Sequence, residues 1–367
     1  MTLSAAGFAM AFAGNQAMQR AVAATADPGA GVANGTAVAR QGGGPVLNFN
    51  PGPVSEGSGP LPAISSNYEY QVLIPWGSPI DPANGVRAYE GVGRRPTAAE
   101  QAELIGIGHD GMWFFPIDNS NDHGVLCINH EFGTNPHVLG KAAPASLEDV
   151  RVSQHAHGVS VVELKKVGGV WQPVANSQYS RRIHVNTPVA FSGPAANSDL
   201  LKTPADPNLQ NAKGTVNNCA NGYTPWGTYL TCEENFNGYF GDTTGNWSAT
   251  PEQARYGFSA AGFRYGWEQF DDRFNLGDAQ HRNEENRFGW VVEIDPFNKS
   301  QTPVKRTALG RFKHEGVAVT VGQGGRVVCY MGDDERFDYI YKFVSARNWR
   351  SMQARGLSPL DEGKLYV

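Results

Sequence analysis

The sequence predicts an all-β fold, and a β-propeller is the architecture that we favour. From residue 68 onward, short runs of β-branched and aromatic residues recur between glycine turns. The 44 glycines and 23 prolines among 367 residues argue against long helices, and only residues 98–105 and 345–355 have helical patterns. Strands that follow one another without intervening helices are typical of a sandwich, a barrel or a propeller.

The individual strands are predicted from short apolar runs. They are residues 113–115, 124–129, 159–164, 228–232, 290–294, 317–321, 326–331 and 339–344. Glycine pairs at 168–169 and between 322 and 325 predict two hairpins, because such turns match the twist of the flanking strands.

Acidic strand ends distinguish the propeller from its alternatives. Acidic residues close or open five strands, at CINHE (127–131), LTCEEN (230–235), VVEID (291–295), KHEG (313–316) and CYMGDD (329–334). The strand ends of a propeller converge on its central channel, whereas a sandwich scatters them around two rims. Five converging acidic ends would build a site for hard cations, which is why we favour the propeller.

The chain divides into an amino-terminal segment, residues 1–60, and the propeller, residues 61–367. Residues 3–13 have the size of a signal-peptide core, although no basic region precedes them, and residues 21–23 are small enough for an export peptidase. The rest of the segment is rich in glycine, alanine and proline and is predicted to be a linker. We therefore expect a periplasmic or secreted protein; the alternative is an alanine-rich disordered tail.

Composition excludes several classes of protein. A net charge of −5 argues against a nucleic-acid partner, and no apolar run is long enough for an integral membrane segment. The four cysteines contain no CxxC pair, which excludes a zinc ribbon. Nucleophile-elbow and P-loop motifs are absent from the sequence.

Cys219 and Glu234 are the first candidate metal ligands. Glu233 and Glu234 lie side by side at a strand end, so only one of them can face a given cavity. A thiolate beside a carboxylate suits a transition metal, and carboxylates also bind Fe³⁺, Mn²⁺ or Ca²⁺. The alternative is a disulfide between Cys219 and Cys232 with solvated glutamates, and the local sequence alone favours it.

Other candidates are weaker on local sequence. An exposed pair is the favoured interpretation of His314 with Glu315, and the same holds for His130 with Glu131. Two further motifs are open: Asp333 and Asp334 either hold Ca²⁺ or cap a turn, and His155 with His157 form either a metal pair on one strand face or, as we favour, a surface pair.

Five blocks of the sequence resemble the PhoX-type alkaline phosphatases, in the order of that family. They are residues 181–196, 217–235, 288–296, 310–316 and 330–345. The resemblance implies a six-bladed β-propeller with insertions, export by the twin-arginine route, and a mixed cluster of Fe³⁺ and Ca²⁺. It also implies hydrolysis of phosphate monoesters.

The resemblance assigns roles to individual residues. Cys219 becomes the iron-bound thiolate, which reverses the preference for a disulfide. Glu234 and Glu315 become carboxylates of the cluster and complete the predicted catalytic set, and Asp334 becomes a further predicted ligand. Glu131, to which the resemblance gives no role, is added as a predicted metal ligand at an acidic strand end.

Two features depart from the family pattern. Asn221 stands where we expect a glycine, so the sequence leaves the backbone angles of this loop undecided. Val367 ends within an apparent strand, and the Arg-Pro-Glu segment that supplies the family's phosphate-binding arginine is not in the sequence. We therefore expect a fragment with an incomplete propeller and an incomplete cluster, inert on its own.

The predicted function of the complete protein is alkaline phosphatase activity for phosphate scavenging outside the cytoplasm. We expect a monomer that acts on small-molecule phosphate esters. Two alternatives are a calcium-dependent lactonase or phosphodiesterase, which needs no thiolate, and a non-catalytic, calcium-stabilised binding propeller.

Overall fold

The computed structural model describes residues 68–367, of which residues 74–367 form one compact unit. The predicted export signal and linker, and their boundary at residue 60, lie outside the described residues. Residues 68–73 contain neither helix nor strand. Within the described part, no helix has both the length and the apolar character needed to cross a bilayer.

The described residues contain three sheets. The first has the order β1-β2-β3-β4, with β5 also paired to β3; the second has the order β7-β8-β9-β10-β6, and the third β11-β12-β13-β14. All strand pairs are antiparallel except β10 with β6. The strands are β1 (His109–Pro116), β2 (His123–His130), β3 (Gly158–Val167), β4 (Val170–Pro173), β5 (Arg181–Ile183), β6 (Ala190–Ser192), β7 (Asn218–Tyr223), β8 (Tyr229–Glu233), β9 (Val291–Ile294), β10 (Val304–Arg306), β11 (His314–Val321), β12 (Arg326–Asp333), β13 (Ile340–Asn348) and β14 (Gly363–Tyr366).

Helices are short and lie between the strands. The α-helices are α1 (Ala98–Gln101), α2 (Asn135–Leu139), α3 (Leu147–Ala156), α4 (Pro251–Arg255) and α5 (Trp349–Gln353). Single 3₁₀ turns occur at Asp199–Leu201, Phe236–Tyr239, Trp267–Gln269, Asp272–Phe274, Glu284–Arg287, Thr307–Leu309 and Gln323–Gly325.

The three sheets are blades of a β-propeller, so the predicted all-β class and architecture are confirmed. Each blade has a first strand at its edge, β1, β7 or β11, and β7 packs against both of the others. The first strands therefore meet at the centre of the unit, where a propeller has its channel.

Apolar clusters fill the spaces between neighbouring blades. Between the first and second blades, the buried side chains include Val125, Val161 and Ile294. Between the second and third they include Leu230, Val317 and Phe343. The apolar residues of the runs that predicted these strands are the ones buried between the sheets.

The predicted strands and both hairpins are confirmed, but the helices differ from the prediction. Ser345 belongs to β13, where it pairs with Gly363, and α5 begins only after Asn348 caps it. The α3 helix was not predicted. Consequently the interpretation of His155 and His157 as neighbours on a strand face is wrong, because His155 lies in the last turn of α3 and His157 follows the helix.

Candidate metal centre

Each blade carries the same irregularity where its first two strands pair. In the first blade, His109 pairs with His130 and Met112 with Ile128, so two residues of β1 face one residue of β2. This is a β-bulge, which bends the strand and redirects a side chain. The bulged residues are Asp110 and Gly111, and the single residue opposite is Asn129.

The second and third blades repeat this bulge. In the second, Cys219 and Ala220 of β7 face Cys232, because the register shifts between Asn218 and Asn221. In the third, Glu315 and Gly316 of β11 face Gly332, because the register shifts between His314 and Val317. The first residue of every bulge is therefore an acid or a thiol.

An acidic residue also lies beside each bulge, on the chain of the neighbouring strand. That strand, β2, β8 or β12, ends at the residue paired next to the bulge, and the residue after its end is an acid. Each blade thus contributes two groups, which together form the six-residue cluster: Asp110 with Glu131, Cys219 with Glu234, and Glu315 with Asp334.

Small residues allow the three bulges to approach one another. A β-carbon placed on Gly111 would lie 2.8 Å from the Cα and carbonyl carbon of Ala220, and one on Gly316 would lie 3.3 Å from the Ala220 β-carbon. The second residue of each bulge is thus glycine or alanine because the backbones of adjacent blades nearly touch there.

The cluster brings ligand atoms together. Oxygen or sulfur atoms of Asp110, Glu131 and Cys219 all lie within 4.8 Å of one another. The carboxyl of Glu131 also interacts by hydrogen bonding with those of Asp110 and Glu234, and Glu234 interacts in the same way with Asp334. Glu315 lies at the exposed side of the group, within electrostatic reach of Asp334 and Asp110.

Burial and mutual repulsion hold protons on the cluster. Burial, followed by the neighbouring carboxyls, raises the pKa of Glu131 to about 7 and that of Glu234 to about 8. Burial is also the main cause of the raised pKa values of Cys219 and Glu315, and nearby acids add to both shifts. The site therefore gathers acidic groups that hold their protons because no positive charge of the protein compensates them.

The donor set fits a site for metal cations. Among residues 68–367, no lysine or arginine forms an ion pair with any of the five cluster carboxylates. One sulfur and five carboxylates facing one another without a protein counter-ion are a ligand set for a softer metal beside hard cations.

Glu233 and Glu234 face opposite sides of their strand, as period-2 geometry predicts. Glu233 is fully buried and its carboxylate accepts a hydrogen bond from Lys305 Nζ at 2.7 Å. Its other oxygen accepts from the backbone N–H groups of Gly289 and Trp290. Glu234 turns the other way, into the cluster.

The structure corrects three expectations from the sequence. The four cysteines, all within the described residues, are free, so the disulfide alternative for Cys219 is wrong. The acidic strand end at residues 291–295 does not join the cluster, because Glu293 binds Arg306 at 2.6 Å instead. Asn221 needs no glycine-like backbone, since it lies within β7 and its φ is not positive. The left-handed residue nearby is Asn217, with φ 51°, directly before this strand.

The exposed-pair interpretation of His314 with Glu315 is half right. Glu315 is exposed, but His314 is fully buried, stacks on Phe312 and faces the Gly310 carbonyl at 3.0 Å. Asp110 was missed in the sequence. A signal for it existed, because His109-Asp110-Gly111 repeats the pattern of His314-Glu315-Gly316 at the start of another first strand.

Comparison with known proteins gives the family. The family described as alkaline phosphatase PhoX matches residues 49–367 of this chain. The chain belongs to the PhoX alkaline phosphatase family. The resemblance predicted from the sequence motifs is thereby confirmed.

A solved structure matches this PhoX-family chain at 46% identity and a TM-score of 0.74. It is described as Pseudomonas fluorescens PhoX in complex with vanadate, a transition state analogue. The match covers 81% of this chain and 51% of that one, so this chain spans about half the length of the matched protein. Among curated proteins, none matches.

Proposed function

We propose that this PhoX-family protein hydrolyses phosphate monoesters at a metal centre held by the six-residue cluster. The observation that carries the proposal is the meeting of Asp110, Glu131 and Cys219 donor atoms within 4.8 Å, in a chain of this family. The vanadate complex of the Pseudomonas fluorescens protein supports a phosphoryl-transfer site in the same fold.

The donor atoms suggest how two kinds of metal would be distributed. The Cys219 sulfur would hold Fe³⁺ together with neighbouring carboxylates, and the carboxylates of Glu315, Asp334 and Glu234 would also hold Ca²⁺. When bound, such metals would activate a nucleophile near neutral pH and neutralise charge on the phosphate oxygens.

The chain's own residues would then act by binding and orientation. Cys219, Glu234 and Glu315, the predicted catalytic set, would fix the metals and would not transfer protons to the substrate. The protons held by Glu131 and Glu234 near neutral pH would leave when cations bind, because a metal ligand must be deprotonated.

Cys219 separates this function from its alternatives. A calcium-dependent lactonase or phosphodiesterase, or a calcium-stabilised binding propeller, needs only carboxylates. The structure instead directs a half-buried thiol at two acids, whereas the other three cysteines are buried.

The test compares two cysteine variants of the full-length protein, each produced with iron and calcium. We expect Cys219→Ala to lose bound iron and to lower the rate of p-nitrophenyl phosphate hydrolysis by roughly 100-fold or more. The control Cys127→Ala, which removes a thiol buried between blades, should keep both. Wild-type protein without iron, together with an unchanged rate in Cys219→Ala, would refute the proposal.

We also propose that the protein acts outside the cytoplasm, in the periplasm or after secretion. Support comes from the apolar core at residues 3–13 and the small residues at 21–23. Cell fractionation should find the protein in the periplasm or medium, and its retention in the cytoplasm would contradict the proposal.

A further inference from the structure

Asn129 lies directly behind the six-residue cluster. It is the residue of β2 opposite the first-blade bulge, and it is fully buried. We propose that Asn129 is a positioning residue, whose amide holds the bulge of β7 in the conformation that directs the Cys219 sulfur toward Asp110 and Glu131. The inference rests on the proposed function in one respect: it takes the ligand of the positioned thiol to be a metal.

The two N–H groups of the Asn129 amide reach across to the second blade. Its Nδ2 donates hydrogen bonds to the main-chain carbonyls of Cys219 and Ala220, the second at 3.1 Å. These are the two bulged residues of β7, and only Cys232 stands opposite them. A bulge leaves one residue without a regular partner, and the Asn129 side chain supplies partners to both carbonyls.

The carbonyl oxygen of the same side-chain amide also has two hydrogen-bond partners. Its Oδ1 accepts from the hydroxyls of Tyr229 at 2.9 Å and Thr231 at 2.8 Å, both on β8. Both ends of the amide therefore have hydrogen-bond partners, although the single Tyr229 proton is shared with the Gly111 carbonyl, and this fixes the orientation of the amide. A fully satisfied buried polar group of this kind makes a local structure rigid.

The hydrogen bonds of Asn129 and its partners reach the strands beside Asp110, Glu131, Cys219 and Glu234. The Tyr229 hydroxyl also lies 2.9 Å from the Gly111 carbonyl, directly after Asp110. Asn129 itself precedes Glu131 by two residues, and β8 leads into Glu234. One amide thus connects the backbone segments of Asp110, Glu131, Cys219 and Glu234.

Comparison between blades separates this role from ordinary core packing. The residues equivalent to Asn129, opposite the other two bulges, are Cys232 and Gly332, which have no side-chain amide. Asn129 is the only one of these three that bonds to a neighbouring bulge, and that bulge is the one with the thiol. An apolar residue would fill a buried strand position without needing four partners.

The experiment measures the thiol in metal-free protein and the metals in loaded protein. The variants are Asn129→Ala and the milder Tyr229→Phe, which removes one hydroxyl donor to Oδ1 without removing the ring. We expect both to change the rate at which dithionitrobenzoate modifies Cys219. We also expect chelator titration to show iron binding weakened roughly 10- to 100-fold in Asn129→Ala and less in Tyr229→Phe.

Asn275→Ala is the matched control. Asn275 is also a buried amide, but it bonds to Thr243 in the region between β8 and β9, away from the bulges. This variant should keep the wild-type thiol rate and metal affinity.

Each outcome decides one question. If folded Asn129→Ala keeps the wild-type thiol rate and iron affinity, or if Asn275→Ala shifts them equally, the inference is overturned. If Asn129→Ala does not fold, Tyr229→Phe decides in the same way. If the wild type binds no iron, the proposed function fails, while the thiol rates still test the positioning role.

Discussion

At the scale of single residues, Cys219 is the position where the three blades differ chemically. Asp110 and Glu315 occupy the equivalent place in their bulges, so only the second blade offers sulfur. The softness of that one atom should set which metal the site prefers, because carboxylates favour harder cations than thiolates do.

Replacing Cys219 by aspartate tests this difference. Cys219→Asp keeps a ligand in place but makes the site all-oxygen, so bound iron should fall relative to calcium. Metal analysis of purified protein measures the ratio. Cys329→Ala, which removes a buried thiol from the core of the third blade, is the control and should keep the wild-type ratio.

The two glutamates with raised pKa values predict how pH affects the metal-free protein. Folded Glu131 and Glu234 hold protons up to about pH 7 and 8, whereas unfolded glutamates titrate near 4.5. The folded state therefore binds more protons across this window, so the free energy of unfolding should fall as pH rises from 5 to 8.

Thermal melts in chelator at pH 5, 6.5 and 8 measure this effect. The melting temperature should fall across the series in the wild type and fall less in Glu234→Gln, which cannot titrate at that position. A melting temperature that rises with pH in the wild type would contradict the prediction.

Much of the cluster could be predicted from residues alone. The family motifs identified Cys219, Glu234, Glu315 and Asp334 as candidates, and an acidic strand end added Glu131. The structure brings all five together. Asp110 was missed because no motif contained it, and a single Asp-Gly pair is also typical of a turn. Which acids meet depends on bulges, and the register of a bulge is set by tertiary packing.

At the scale of structural elements, the bulges allow adjacent blades to approach closely. A graded series of glycine variants tests this. Gly111→Ala places a β-carbon 2.8 Å from backbone atoms, Gly316→Ala places one 3.3 Å from a β-carbon, and Gly332→Ala meets nothing within 4 Å.

Denaturant unfolding should rank the three variants in that order. We expect Gly111→Ala to lose about 1–3 kcal/mol, because backbone atoms cannot yield easily, and Gly316→Ala to lose less. The control Gly332→Ala should stay within about 0.5 kcal/mol of wild type. Equal losses for Gly111→Ala and Gly332→Ala would contradict close packing of the bulges.

The second blade also depends on a buried ion pair. Lys305 of β10 and Glu233 of β8 are both fully buried, and Lys305 Nζ donates a further hydrogen bond to the Arg287 carbonyl. Removing one partner of such a pair leaves an uncompensated charge in the core.

Lys305→Ala should therefore destabilise the protein by about 3–5 kcal/mol, measured by denaturant unfolding. The control is Lys202→Ala, whose partner Asp199 is 92% exposed and whose loss should leave stability close to that of the wild type. A similar small effect for both would show that the Lys305 pair does not hold the blade.

Strands were easier to predict than helices for a physical reason. The short apolar run at 159–164 is buried on both faces, and the run at 326–331 buries every second side chain; both patterns are typical of strands. The sequence LEDVRVSQHA of α3 gave no comparable signal, because its first turn is polar and its helix is only ten residues long. Helices of this length form through tertiary packing, which the local sequence does not reveal.

At the scale of the whole molecule, the site is shared by three blades. A cation bound there as proposed would contact groups from the first, second and third sheets, so binding should stabilise all of them together. A ligand at 100 times its dissociation constant adds about 2.7 kcal/mol to the free energy of unfolding.

Calcium titration followed by hydrogen exchange tests this coupling. Added Ca²⁺ should raise the melting temperature and slow amide exchange in β1, β7 and β11 alike. The double variant Glu315→Gln/Asp334→Asn should lose most of the response, whereas Glu252→Gln, in α4 outside the cluster, should retain it. Protection confined to one blade would show that the cluster does not act as a shared site.

The arrangement of the cluster along the chain also bears on biogenesis. Its six side chains span residues 110 to 334, in three pairs separated by roughly a hundred positions each. During synthesis, the pocket gains its last groups only when the third hairpin has emerged and docked. A metal held as proposed would be captured only after three blades have assembled, so metal loading would report that assembly is correct.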